Sequence, residues 1–154
     1  MRSIEIATKH RSLRVDREKL EDLIETLDAH AGRFEGGCPA GELSLVFVTD
    51  KALAKLHDDF LDDPTTTDVI TFEGQPEFGA AGEICVSVDT ALANARKLGR
   101  DFSEELSLYV IHGWLHLAGY DDLKPELKRA MRRAEARAEK LLRPLGLLGA
   151  FSLK

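Results

Sequence analysis

The sequence predicts an α+β domain of about four strands and five helices. Three observations carry that expectation. Short runs of alternating or β-branched residues recur near the N-terminus and at residues 42–49, 68–72 and 83–88. Apolar residues at helical spacing fill the stretches between and after them, with most of the helical mass towards the C-terminus. One segment, from Leu106 to Leu117, is apolar on almost every side, which suits a helix in the middle of a domain.

Taken in order, Ile4 and Ile6 alternate with Arg2 and Glu5 as a short strand, and Asp16 caps a helix whose stripe is Leu20, Leu23, Ile24 and Leu27. Residues 32–41 form a turn-rich connection. The run ELSLVFVT at 42–49 reads as a strand with Leu43, Leu45 and Phe47 on one face and Val46 and Val48 on the other; Asp50 then caps a helix through Leu53, Leu56 and Phe60. Residues 62–67, DDPTTT, are a loop broken by Pro64. The strands at 68–72 and 83–88, joined through the Gly- and Pro-rich segment 74–82, are expected to be antiparallel neighbours. Asp89 or Thr90 starts a helix through Ala91, Ala95 and Leu98 that stops at Gly99. Ser103, Glu104 and Glu105 then supply a cap and negative charge to the next helix, and Gly119 ends it. Pro125 opens the last helix, with Leu127, Met131, Ala134, Ala138 and Leu141 as its apolar stripe.

Length and composition bound the function. The 154 residues make one domain, 1–154, able to bury about two-thirds of its unfolded surface. No apolar run approaches the roughly 18 residues of a membrane span. The first residues lack the apolar core of a signal peptide, so a cytoplasmic location is expected. Cys38 and Cys85 follow no ligand or redox spacing. A net charge of −6 argues against general adhesion to nucleic acid but leaves room for one basic face.

The chemistry concentrates in residues 108–122, LYVIHGWLHLAGYDD. His112 and His116 are four apart and so share a helix face. Two polar rings in an apolar helix need partners, because burying an unpaired polar group costs a few kcal/mol. Hydrogen bonds to backbone carbonyls or carboxylates would meet that need; so would a shared cation, for which neutral imidazole is a good ligand. Asp122, just past the glycine turn, favours the cation by completing a three-ligand set with an open position. A zinc peptidase would carry glutamate after the first histidine as its base. Gly113 stands there instead, and a glycine inside a helix suggests close packing at that point.

HGWLHLAGYDD resembles the HGxLHLxGYDH signature of the YbeY family, metal-dependent single-strand endoribonucleases of ribosomal RNA maturation. TDVITF at 67–72 and GEICVS at 82–87 are similar to two further family blocks, in the same order and separation, so the likeness covers most of residues 42–145. The resemblance implies a mixed four-stranded sheet with the metal helix at its centre. It also implies hydrolysis of RNA in 16S rRNA maturation and ribosome quality control, with water activated by zinc on His112, His116 and Asp122.

Several positions depart from the family or extend it. Asp122 takes the place of a third histidine; an oxygen ligand suits zinc, and two histidines with one carboxylate also suit iron or another divalent transition metal. Asp121 is expected to cap the turn or hydrogen-bond to a histidine from behind the site. Leu61 falls on a family arginine, with Phe60 on a tyrosine and His57 on an asparagine, so a guanidinium suited to phosphate is missing there. The alternative reading is therefore a ribosome-associated RNA-binding factor whose metal is mainly structural. On the last helix, Lys128, Arg129, Arg132 and Arg133 are candidates for RNA phosphates, against a plainer reading as a solvated face with Glu135 and Glu139 in i,i+4 pairs. No side chain stands out as general base, and the partners expected are single-stranded RNA and ribosomal particles.

Overall fold

The computed structural model describes residues 2–61 and 68–154, with Leu61 described in its backbone only. The loop expected at 62–67, the head of the TDVITF block and the side chain of Leu61 lie outside the described residues. The elements run β1 (Ser3–Thr8), β2 (Leu13–Val15), α1 (Arg17–Ala29), β3 (Glu42–Val48), α2 (Asp50–Leu61), β4 (Val69–Gln75), β5 (Ala80–Ser87), α3 (Val88–Leu98), α4 (Phe102–Leu117), α5 (Pro125–Leu142) and β6 (Phe151–Leu153). This is the α+β class, with a mixed four-stranded sheet ordered β1-β3-β5-β4. β1, β3 and β5 are parallel, and β4 pairs antiparallel with β5, Ile70 opposite Cys85 and Thr71 opposite Ile84. A second sheet, β2 with β6, pairs Leu13 with Leu153. Three-residue strands are too short to show an alternation, and sequence reading passes over them.

Strand alternation decides the layers. Leu43, Leu45 and Phe47 join Ile84 and Val86 in the main core, under α1, α4 and α5. Val46 and Val48 face the other way and pack with Ile70, Cys85, Leu53 and Leu56 beneath α2. Burial pushes the thiol of Cys85 up to about 12 and that of Cys38 up to about 11, so neither is a ready ligand.

α4 runs through the middle. Leu106, Val110, Ile111, Trp114 and Leu115 are fully buried. Gly113 faces β5 so closely that a Cβ there would lie 2.5 Å from Ile84 Cγ2, which is the close packing its position suggested. The Trp114 indole donates to Asp28 of α1 at 3.0 Å, and Arg2 holds the same carboxylate at 2.9 Å, tying α4 to α1 and the start of β1.

Several ends differ from expectation. Asp101, not Ser103, caps α4 by accepting from Glu104 N; Ser103 lies inside the first turn, where its hydroxyl donates to Leu148 O and accepts from Phe151 N. Thr49 accepts from Ala52 N at the start of α2, while the Asp50 carboxylate turns to the hydroxyls of Ser87 and Thr90. Ser87 caps α3, which begins at Val88, one residue ahead of Asp89, the earlier of the two expected starts. β4 and β5 extend through Gly74 and Gly82, read as part of a connection, and only 76–79 turn; Gly74 marks a close approach, its Cβ position 2.2 Å from Ala80 O. On α5 the buried stripe ends at Leu142 rather than Leu141, and Leu127 is exposed.

Candidate metal centre

One helical turn separates His112 from His116, and their Nε2 atoms lie 2.9 Å apart. The chain leaves α4 at Ala118 and reverses at Gly119, whose φ of 110° is open to glycine and strained for other residues. Gly119 N donates to His116 O and Tyr120 N to Leu115 O, so two of the spare carbonyls of the last turn are satisfied. Asp121 accepts from the N–H groups of Asp122 and Leu123, at 2.6 and 3.1 Å, and so shapes the turn. Asp122 then faces back over the helix, with Oδ2 3.4 Å from His112 Nε2 and Oδ1 3.7 Å from His116 Nε2.

The three ligand atoms lie within 4.8 Å of one another. Tetrahedral bonds of about 2.0–2.1 Å would set such atoms about 3.3 Å apart. The spacing therefore fits one ion. The hydrogen atoms fit as well. His112 Nδ1 faces a Glu135 carboxylate oxygen at 2.6 Å, and His116 Nδ1 faces the Tyr120 carbonyl at 3.1 Å. With an acceptor at each Nδ1, the neutral rings carry their protons there and turn both Nε2 lone pairs towards Asp122. The carbonyl and carboxylate partners foreseen as an alternative to metal are thus present at Nδ1, and they leave the Nε2 atoms facing only each other and Asp122.

Burial lowers the proton affinity of His112, but the hydrogen bond and charge of Glu135, with Asp122 and Asp68 beyond, outweigh it and raise its pKa above the ordinary value. His116 moves the other way: burial, then the charge of His112, lowers its pKa. Tyr120 anchors the turn, its hydroxyl accepting from Glu35 N at 2.9 Å and from Arg137 at 3.2 Å.

A cleft of about 270 Å³ opens beside the centre, lined by His112, Asp122, Glu135, Asp68, Lys128 and Arg132 among others. A second groove runs along Lys128, Arg129, Arg132 and Arg133. Among the described residues these four cations are exposed and make no ion pair, whereas Arg143 pairs with Glu104 and Glu139. Of the two glutamates expected in surface pairs, Glu139 makes one with Arg143; Glu135 is taken by His112. Sequence reading missed that role for Glu135. The available signal was its place at the edge of the Met131, Ala134 and Ala138 stripe, which turns it inward.

Fold and site together define a small α+β protein carrying a candidate His-His-Asp metal centre on its central helix. The family model described as Endoribonuclease YbeY matches residues 5–143. Curated relatives bearing that description include one from Rhodopirellula baltica, 41% identical over 69% of this chain and 56% of its own length. Another, from Porphyromonas gingivalis, is 37% identical over 70% of this chain and 71% of its own. A third, from Chlamydia pneumoniae, is 34% identical over 86% and 85%. The solution structure of a Thermotoga maritima protein superposes with a TM-score of 0.59 at 27% identity, covering 94% of each chain. The chain belongs to the YbeY endoribonuclease family.

Proposed function

We propose that this protein is a metal-dependent endoribonuclease that cleaves single-stranded RNA in 16S rRNA maturation and ribosome quality control. It acts in the cytoplasm as one domain spanning residues 1–154. No helix among the described residues is long and apolar enough to cross a membrane, which is compatible with that setting. The observation that carries the reading is the convergence of two Nε2 lone pairs and the Asp122 carboxylate beside a cleft, in a chain of this family.

His112, His116 and Asp122 would hold the ion, with zinc favoured by the ligand types and iron also suited to two histidines and a carboxylate. A bound ion of this kind supplies Lewis-acid activation of water at neutral pH. Glu135 and the Tyr120 carbonyl fix the two rings, and the Asp121 turn aims Asp122. Hydrolysis adds one water across one P–O bond, with a proton finishing on the departing oxygen. The phosphate oxygens gain charge on the way, which nearby cations stabilise. Lys128, Arg129, Arg132 and Arg133 are the groups we assign to RNA contact.

Incubating a labelled single-stranded RNA with metal-loaded protein tests this. Wild type is expected to cut it, chelation and Asp122→Ala to abolish cutting, and Leu61→Arg to speed it by restoring the guanidinium that the family resemblance puts at that position. Cutting that survives chelation would overturn the mechanism. Intact RNA, with a protein that merely loses stability on chelation, would instead support a ribosome-associated factor with a structural metal.

A further inference from the structure

The four cations of α5 are not equivalent, and helix geometry sorts them. At about 100° per residue, a path around α5 away from the buried stripe meets Glu135 first, then Lys128 and Arg132, and only then Arg129 and Arg133. The structure follows that order. Glu135 touches His112 at 2.6 Å. Lys128 and Arg132 line the cleft shared with His112 and Asp122. Arg129 and Arg133 are absent from that cleft and line only the outer groove, which Lys128 and Arg132 also border. The two hollows therefore adjoin along one pair of residues.

Resting on the nuclease reading above, we infer that Arg132, with Lys128 one turn away, contacts the phosphate being cleaved, whereas Arg129 and Arg133 hold the phosphates that follow it. Three features support this division. The cleft also contains Asp122, Glu135, Asp68 and the buried Glu105; its third cation, Arg100, is taken by Glu105 and Glu139, so an approaching phosphodiester that meets these carboxylates needs the other cations on the wall. Among the described residues, neither Lys128 nor Arg132 is engaged by any of those carboxylates, so both remain available to a substrate. Lys128 and Arg132 also stand on the same helix face as Glu135, the residue that orients His112. The rigid α5 thus sets the distance between phosphate contact and metal ligand.

The inference predicts a split between rate and affinity. Charge that develops at the reacting phosphate is felt by its own contact, and loss of one such donor lowers the rate by roughly 100-fold or more. A contact to a neighbouring phosphate acts on affinity, lowering the salt slope by about 0.7 for a single strand. The test uses metal-loaded full-length protein and a labelled single-stranded RNA, with cleavage followed at saturating protein. Binding of a 2′-O-methyl oligonucleotide is followed by anisotropy across a salt series. Arg132→Gln is expected to lose most of the saturated rate, and Arg132→Lys to recover part of it; metal content stays at the wild-type level in both. Arg133→Gln is expected to act mainly on binding and its salt slope, with a rate loss at least about tenfold smaller than that of Arg132→Gln. Wild type that cuts RNA while Arg132→Gln and Arg133→Gln are equally impaired would overturn this inference alone. Wild type that leaves the RNA intact would overturn the nuclease reading and this division with it.

Discussion

Each imidazole of the site has Nδ1 held by an acceptor and Nε2 turned to the other ring and Asp122, and that asymmetry makes two half-buried histidines a candidate ligand pair. Glu135 does the orienting for His112 and the Tyr120 carbonyl for His116. Partners of this kind typically set metal affinity within a factor of about 10–100. Glu135→Gln is therefore expected to weaken metal binding by about that factor while leaving the fold intact, measured by competition with a chromophoric chelator; an unchanged affinity would remove Glu135 from the site. At this scale much was legible. His112, His116 and Asp122 follow from helical spacing and a glycine turn, all within one short stretch. Glu135 arrives from another helix 23 residues on, and no local pattern announces a contact between helices.

At the level of elements, α4 owes its central place to its apolar sides and to one missing side chain. Alanine would ordinarily suit a helix better than glycine by about 1 kcal/mol. At Gly113 its Cβ would lie 2.5 Å from Ile84, and overpacking of that kind costs about 1–3 kcal/mol. Gly113→Ala is expected to destabilise the protein in denaturant unfolding. Combined with Ile84→Ala, it should cost at least about 1 kcal/mol less than the two single changes add up to. Strict additivity would show that the contact is relaxed in solution. Elements with long apolar stripes were legible as such. Their caps were less so, because Ser, Thr and Asp cluster at each boundary and tertiary partners choose among them: Ser103 goes to Leu148, leaving the cap to Asp101.

Across the whole molecule, sheet order comes from contacts far apart in sequence. That β3 lies between β1 and β5, and that β2 meets β6 from the far end of the chain, is absent from any local periodicity. The protonation of the metal-free centre is a global property too. His112 has a raised pKa, so its share of stability is complete below the unfolded value of about 6.5 and is lost as pH rises through the folded value. His116 has a lowered pKa, so its share is present above about 6.5 and is lost as pH falls through its folded value. Metal requires both rings neutral. Affinity should accordingly begin to fall, on acidification, above pH 6.5, where His112 first takes up its proton. Affinity that held level to about pH 5 in a titration would contradict the ligand assignment.

The most direct test is the metal content of the purified protein by inductively coupled plasma mass spectrometry, wild type beside His112→Ala and Asp122→Ala. Three converging ligands predict about one ion per wild-type chain and almost none in either variant. A ratio that stays at the wild-type level in both variants would place the ion elsewhere and contradict the account.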